Sequence, residues 1–339
     1  MNHKYETLHC HTINSDGKLT HQEVLDLFAK NNIGVVAFTD HDALPSPKET
    51  EWLLANRQHP AKWIIGCELS SGWPKEMGGI GSNFHILGLF VDPSNKALNE
   101  RNLLFQKERV ARLERMVKNL QKIGFEVTIE ECLQVSKGES VGRPHLAAII
   151  LGKKTNLDRL DQIRLEMAQA SVKDPDLKIR YDGMMLRGQE QYPYALLLSA
   201  DSFIPGVYTK YEYFTNLEET VGLIHNAGGV AILAHWTFSK KEFGLDKIEK
   251  LLADKKIDGA EIIYGLGVID RATEIAADIE AVKNLTVKYQ ALQTGGLDFH
   301  AAKDVEYFLA DKKFAGATVG LAAKLLCDSR VDPQWSSLS

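Results

Sequence analysis

Nine side chains of metal-binding type recur beside short apolar runs, and this pattern constrains the fold more than any other feature of the sequence. They are His9, His11, Asp16, His41, Glu68, His85, His235, Asp298 and His300. Most of them follow runs typical of buried strands, such as YETL, VVAFT, WIIGC and VAILA. Reactive side chains at strand ends, with packing residues behind them, are typical of the catalytic face of a barrel enzyme.

Two pairs of these residues are separated by a single position, His9 with His11 and Asp298 with His300. Alternate side chains of an extended chain point to the same side. We therefore expect each pair to be able to hold one ion.

Composition narrows the class of protein. A net charge of −5 argues against general coating of nucleic acid, so we expect no stable binding of double-stranded DNA. No apolar stretch approaches the roughly 20 residues of a membrane span and no signal peptide is visible, which predicts a cytoplasmic protein without a membrane partner. The four cysteines form no CxxC pair, and Cys10 and Cys67 are expected to be small core residues.

Apolar strand-like runs alternate with helical patterns in two parts of the chain, which predicts an α/β fold with mostly parallel strands, about seven in number. Residues 1–95 and 213–339 are predicted to form this barrel. Residues 96–212 are predicted to be a mainly helical insertion that caps the substrate. In the insertion, helical spacing runs from about Leu103 to Ile123, and further helices open near Thr128 and at Gly142-Arg143-Pro144.

Imidazole nitrogen combined with carboxylate oxygen suits zinc, manganese or iron(II). Five or more histidines and several carboxylates exceed what one ion needs, so two to three divalent transition-metal ions are expected. Such clusters bind a phosphoryl group and lower the pKa of a bound water molecule.

The motifs resemble the signature of the PHP (polymerase and histidinol phosphatase) superfamily. The matching segments are Leu8-His-Cys-His-Thr, Ser15-Asp16-Gly17, Thr39-Asp40-His41-Asp42, Gly66-Cys67-Glu68, Phe84-His85, Ala234-His235 and Asp298-Phe299-His300. The segment Val141-Gly142-Arg143-Pro144-His145 resembles a motif of the branch that contains nucleoside 3′,5′-bisphosphate phosphatases and 5′-to-3′ exoribonucleases.

This resemblance implies a distorted (βα)7 TIM-like barrel with a trinuclear metal centre. One metal would take His9, His11, Glu68 and Asp298; a second would share Glu68 and add His85 and His235; the third would take Asp16, His41 and His300. A metal-bridging hydroxide would attack a phosphomonoester of a small nucleotide, such as a nucleoside 3′,5′-bisphosphate, or the 5′ end of short RNA. The residues expected to act directly in catalysis are Glu68, Asp298 and His41.

Four other residues in or near these motifs are expected to support the site. Asp40 and Asp42 are expected to orient a ligand histidine. Arg143 and His145 are the candidates for a second contact to the anionic substrate, because the planar guanidinium group matches a phosphate; the alternative is a surface arginine beside a capping histidine.

Other positions carry two interpretations. Trp236 and Leu297 replace the proline and serine of many relatives, and packing is the expected role of Trp236. Arg109, Arg112 and Arg115 share one side of the long helix, which predicts a solvated face, with an RNA path as the alternative.

Two other functions are compatible with parts of the pattern. Amidohydrolase barrels, which cleave C–N bonds, also open with an HxH motif, but they lack the TDHD segment. A non-catalytic PHP module would not need the complete ligand set.

Overall fold

The computed structural model describes residues 4–79, 84–136, 140–240, 243–264 and 272–338. The chain divides into two compact units. Unit 1 consists of Met1–Phe105 and Phe214–Ser339, and unit 2 consists of Gln106–Tyr213. None of the helices in these described ranges is both long enough and apolar enough to cross a membrane.

Unit 1 is built on a seven-stranded sheet whose strands follow one another in chain order. The strands are β1 Tyr5–Thr7, β2 Ile33–Phe38, β3 Lys62–Ser70, β4 His85–Leu89, β5 Val230–Leu233, β6 Gly259–Tyr264 and β7 Leu292–Gly296. All neighbouring strands pair in parallel except β4, which is antiparallel to both β3 and β5. The sheet curls toward closure, since the Leu8 amide beyond β1 donates to the Gly295 carbonyl in β7 at 3.0 Å. The predicted α/β barrel is confirmed, and the reversed β4 is its distortion.

The described helices are, in chain order, α1 His21–Lys30, α2 Pro47–Ala55, α3 Lys96–Lys122, α4 Ile129–Ser136, α5 Arg143–Gly152, α6 Lys154–Ser171, α7 Pro175–Arg187, α8 Leu217–Asn226, α9 Leu245–Ala253, α10 Ala272–Lys288, α11 Ala302–Ala310, α12 Lys312–Ala317 and α13 Leu321–Ser329. The pair Thr20 and Glu23 predicts a capping box that opens a helix through about Lys30, and α1 has these bounds. The hydroxyl of Thr20 accepts from the Glu23 amide, and the Glu23 carboxylate accepts from the Thr20 amide. This reciprocal capping satisfies two otherwise unpaired donors.

The main core of unit 1 lies between the sheet and its helices. Large members are Phe28, Phe38, Trp63 and Phe299, all fully buried. Burial of this apolar surface holds the strands together from behind. It leaves the strand ends free to carry polar side chains.

Unit 2 is helical in its described residues and has a core of its own. Helix α3 begins at Lys96, earlier than the predicted start near Leu103. Helices α4 and α5 begin where the sequence predicts them. Tyr194–Leu198 forms a short π-helix, which the sequence did not predict. In unit 1 the sequence also predicts a helix from about Val268 to Lys283; its first residues lie outside the described residues, and the described helix α10 spans Ala272–Lys288.

Candidate metal centre

The predicted metal-binding residues all lie in unit 1, at one end of the barrel. His9 and His11 follow β1, His41 follows β2, and Glu68 lies near the end of β3. His85 is the first residue of β4; because β4 runs antiparallel, its start pairs with Ser70 at the end of β3. The remaining members follow β5 and β7, where they are His235, Asp298 and His300. The reversed strand thus brings a residue that precedes an apolar run to the same end as residues that follow one.

Glu68 lies at the centre of the cluster and is fully buried. Its Oε1 is 2.6 Å from His85 Nδ1 and 2.8 Å from His235 Nε2. Its Oε2 is 3.0 Å from His41 Nδ1 and 3.2 Å from both His9 Nε2 and His11 Nε2. One carboxylate therefore contacts five imidazole rings.

The ligand atoms form four overlapping groups, in each of which they lie within 4.8 Å of one another. The groups are His11, Asp16, His41 and His300; His9, Glu68 and His235; His9, His11 and Asp298; and His41, Glu68 and His85. All nine predicted residues belong to at least one group. Their overlap brings together more nitrogen and oxygen donors than a single ion can use.

The pairs His9–His11 and Asp298–His300 differ in their geometry. His9 and His11 share a group, and their Nε2 atoms are 3.2 Å apart. Asp298 has a left-handed backbone with φ of 52°, so the chain is not extended there, and Asp298 and His300 fall into different groups. His300 Nδ1 nevertheless lies 3.8 Å from Asp298 Oδ1, and a shared ion at this pair stays a prediction.

Electrostatics within the cluster favours charged carboxylates. Burial opposes ionisation of Glu68, but His41, His85 and His9 outweigh it and hold the pKa of this carboxyl well below its usual range. The pKa of Asp298 is also lowered, since His9 and a hydrogen bond from His11 overcome its burial. Burial lowers the pKa of His85 to about 4 despite the pull of Glu68.

The donor set fits divalent cations. Besides the carboxylates and imidazoles, two buried atoms, His41 Nδ1 and Asp16 Oδ1, have no hydrogen bond. Buried polar atoms are costly without a partner, and both atoms face other members of the cluster. A cation among these residues would satisfy them.

The neighbouring loops are held by buried carboxylates. Asp40 accepts from the Thr12 amide and hydroxyl and from the Ser15 hydroxyl, all at 2.7 Å. It thereby fixes the loop that carries Asp16, and a Cβ at Gly17 would lie only 2.4 Å from the His11 carbonyl oxygen. These bonds differ from the predicted role of Asp40 in orienting a histidine.

Asp42 is held in a second polar network. It accepts from the Ser70 amide at 2.9 Å and the Ser70 hydroxyl at 2.8 Å, and it forms a buried ion pair with Arg101. Arg101 also donates to the Ser70 carbonyl. Asp42 thus links the turn after β2 to the end of β3 and the start of α3.

Sequence reasoning missed Glu261, a buried carboxylate in the middle of β6. His9 Nδ1 lies 3.1 Å from Glu261 Oε1, and the His235 amide donates to Glu261 Oε2 at 2.7 Å. The available signal was an acidic residue inside the apolar run GAEIIY. Glu261 belongs to none of the four ligand groups among the described residues.

The candidate substrate residues lie in unit 2. Arg143, the first residue of α5, donates to the Leu198 carbonyl at 3.3 Å and lies over the Tyr208 ring at 5.9 Å. His145 is buried and its Nδ1 accepts from the Gly142 amide at 3.0 Å, which is a capping contact.

The predicted solvated face of α3 is wrong for two of its three arginines. Arg109 and Arg112 are buried, and the Arg112 guanidinium lies 5.0 Å from the Tyr208 ring and 4.2 Å from the Tyr211 ring. Arg115 is partly exposed and pairs with Glu108 at 2.9 Å. Periodicity alone did not reveal that residues 207–211 cover this side of the helix.

The two departures from the family pattern are both buried. Trp236 is 3% exposed and its Nε1 donates to the Phe243 carbonyl at 2.7 Å, which confirms its packing role. Leu297 is also buried, and its amide donates to the Thr7 hydroxyl at 2.8 Å. Cys10 and Cys67 are fully buried, as predicted.

Curated relatives match most of this chain. The 3′,5′-nucleoside bisphosphate phosphatase of Chromobacterium violaceum is 25% identical over 298 residues, which cover 87% of this chain and 86% of the relative. The 5′-3′ exoribonuclease Rnm of Salmonella typhimurium is 25% identical over 299 residues, covering 86% of this chain and 84% of the relative. No protein-family model matches the chain.

A solved structure supports the fold. A proposed metal-dependent phosphoesterase from Bifidobacterium adolescentis aligns with a TM-score of 0.64 at 20% identity, covering 95% of this chain and 96% of that chain. The similarity to phosphoesterases that the motifs predicted is thus confirmed, and both activities of the predicted branch occur among the relatives.

Proposed function

We propose that this chain, a homologue of phosphatases and exoribonucleases, is a metal-dependent phosphoesterase. Its substrate would be a phosphomonoester of a small nucleotide, such as a nucleoside 3′,5′-bisphosphate, or the 5′-terminal nucleotide of short RNA. The observation that carries the proposal is the contact of Glu68 with five histidines, in a cluster with more ligand atoms than one ion needs.

We assign two to three ions to this cluster, with manganese, zinc or iron as the candidates. The proposed ligands are His9, His11, Asp16, His41, Glu68, His85, His235, Asp298 and His300. Glu68, His9, His11 and His41 each belong to two of the four groups, so neighbouring ions would have common ligands. A shared buried carboxylate lowers the repulsion between cations held close together.

In the proposed mechanism, bound divalent cations would neutralise the phosphoryl oxygens and lower the pKa of a water molecule. Glu68 contacts the imidazole rings, and its ionised carboxylate would offset part of the charge of the bound cations. Solvent reaches the cluster from one side, since His41, His85, Asp298 and His300 are partly exposed while His9, His11 and Glu68 are not. The phosphoryl group would therefore approach along Asp298 and His41, which we propose as the residues closest to the reacting atoms.

A second phosphate would be bound by unit 2 through Arg143. Burial lowers the pKa of Arg143, and the positive charge of the neighbouring Arg112 lowers this pKa further. No carboxylate in the described part of the chain lies within ion-pair distance of either guanidinium group. Two neighbouring arginines without an acidic partner favour an anion, and arginine binds phosphate with both amino groups. His145 would support this site by fixing the first turn of α5.

The first experiment determines the reaction class. Purified protein supplied with manganese or zinc is assayed on a nucleoside 3′,5′-bisphosphate, a 5′-phosphorylated short RNA, an aryl phosphate and a cyclic amide. We expect hydrolysis of phosphoesters and no hydrolysis of the amide. His11→Gln should abolish turnover, whereas His225→Gln, a histidine outside the cluster, should keep it. Turnover of the amide alone would reject the proposal in favour of an amidohydrolase.

The second experiment tests Arg143. Loss of a hydrogen bond to a charged group costs about 1.5–3 kcal/mol, or roughly 10- to 150-fold in kcat/KM. Arg143→Ala should show this loss on the bisphosphate and little loss on the aryl phosphate, which has no second phosphate. Arg159→Ala, also in unit 2, is the control. Equal losses on both substrates would leave Arg143 with a structural role only.

A further inference from the structure

Glu261 occupies a position that none of the ligand assignments explains. It lies in β6, between β5 and β7, and its side chain is fully buried. The pairing of β6 with β7 shifts register between Glu261 and Ile263. Such irregularities redirect side chains near functional sites.

Each carboxylate oxygen of Glu261 has its own partner at the metal centre. Oε1 lies 3.1 Å from His9 Nδ1, and Oε2 accepts from the His235 backbone amide at 2.7 Å. These partners lie in the segments that follow β1 and β5. One side chain therefore fixes two residues that are far apart in the sequence.

The contact with His9 determines which ring nitrogen is available to a cation. An ionised carboxylate only accepts hydrogen bonds, so the proton of neutral His9 lies on Nδ1. His9 Nε2 is then left with its lone pair, and this atom faces Glu68 Oε2 at 3.2 Å and Asp298 Oδ1 at 3.4 Å.

The contact with His235 supports a strained backbone. His235 has φ of 22° and ψ of 52°, an unusual conformation for a residue with a side chain. The chain must turn sharply there for the ring to reach Glu68 at 2.8 Å. The bond from the His235 amide to Glu261 holds this turn.

From this geometry we propose that Glu261 is a positioning residue of the metal centre, which sets the tautomer of His9 and the turn at His235. This inference rests on the proposed metal centre. It adds a residue that binds no ion itself and acts through two ligands.

The test compares Glu261→Gln with wild type. A glutamine has one acceptor oxygen, so it can satisfy either the His9 Nδ1–H or the His235 amide, but not both. We expect metal affinity to fall about 10- to 100-fold, the usual effect of removing a residue that orients a ligand. The measurement is titration of manganese or zinc into stripped protein in competition with a chromogenic chelator.

The chain offers a matched control at the opposite end of the same strand. Asp258 directly precedes β6, and its Oδ2 accepts from the Ala231 amide and from His225 Nε2, both at 2.7 Å. Like Glu261, Asp258 thus accepts from one backbone amide and contacts one histidine. Asp258→Asn should lower stability while leaving metal affinity unchanged. Equal affinity losses in both variants would identify a general effect of destabilisation and overturn the proposal.

A spectroscopic measurement separates positioning from packing. Zinc-loaded protein with ¹⁵N-labelled histidine should show an Nδ1–H resonance for His9, identified by its loss in His9→Gln. Glu261→Gln should shift or remove this resonance, and Asp258→Asn should not. If Glu261→Gln does not fold, Glu261→Asp, which keeps the charge with a shorter reach, is measured in the same way and should also lose affinity.

The outcomes distinguish this inference from the proposed function. Wild-type protein that binds no divalent cation would reject the metal centre itself. If wild-type protein binds cations, and the Glu261 variant shows equal affinity and an unchanged His9 resonance, only the proposed role of Glu261 is rejected.

Discussion

The buried ion pair between Arg101 and Asp42 should make a large contribution to the stability of unit 1. Asp42 is fully buried and Arg101 is 4% exposed. Removing one partner of a buried pair costs about 3–5 kcal/mol, because the other charge is left uncompensated. In Arg101→Met, Asp42 would retain its two bonds from Ser70, so we expect the lower end, about 3 kcal/mol. At roughly 2–4 °C per kcal/mol, the transition of unit 1 should fall by about 6–12 °C.

Intrinsic tryptophan fluorescence measures this transition selectively. All five tryptophans lie in unit 1, at Trp52, Trp63, Trp73, Trp236 and Trp335. Thermal unfolding followed by this signal therefore reports on the unit that contains the ion pair.

Two further variants serve as comparisons for Arg101→Met. Lys250→Met removes an exposed ion pair with Glu76 and should leave the transition nearly unchanged. The double variant Arg101→Met/Asp42→Asn should be more stable than Arg101→Met, because no buried charge remains. If Arg101→Met unfolds like Lys250→Met, or if the double variant is the least stable, the reasoning about the uncompensated charge is wrong.

Three other outcomes are expected. Reconstituted wild-type protein should contain two to three ions per chain by elemental analysis, and at most one ion would contradict the ligand assignment. Glu68→Ala should lose at least one of these ions together with phosphatase activity, because it contacts five histidines; wild-type metal content would refute that central role. The hydrogen bond to Asp258 raises the pKa of His225, so its contribution to stability is present below a pH of about 6.5 and is lost as pH rises through the raised value; the stabilities of wild type and His225→Gln should thus differ most below a pH of about 6.5 and converge once the pH exceeds the raised pKa.

Much of the candidate centre could be predicted because its residues follow apolar runs. Parallel strands end on the same side of a barrel, so His9, Glu68 and His235 could be placed together without a structure. His85 was identified by its motif rather than by this rule. It precedes its strand, and only the antiparallel direction of β4 explains its position.

The residues that sequence reasoning missed or misplaced depend on tertiary contacts. Glu261 lies within the apolar run of β6. The sequence of this run does not show that the barrel interior accepts a carboxylate. Arg112 is buried by a segment without regular periodicity. The left-handed backbone at Asp298, where an extended chain was expected, is likewise a feature that alternation along the sequence does not reveal.

The closure of the barrel between Leu8 and Gly295 has a consequence for biosynthesis. Asp298 is translated almost 290 residues after His9. At about 5–20 residues per second, the interval is roughly 15–60 s. During that time a nascent chain offers only part of its ligand set, so any ion that it captures can exchange. The two ligand groups that contain Asp298 or His300 can therefore form only after β7 has been translated.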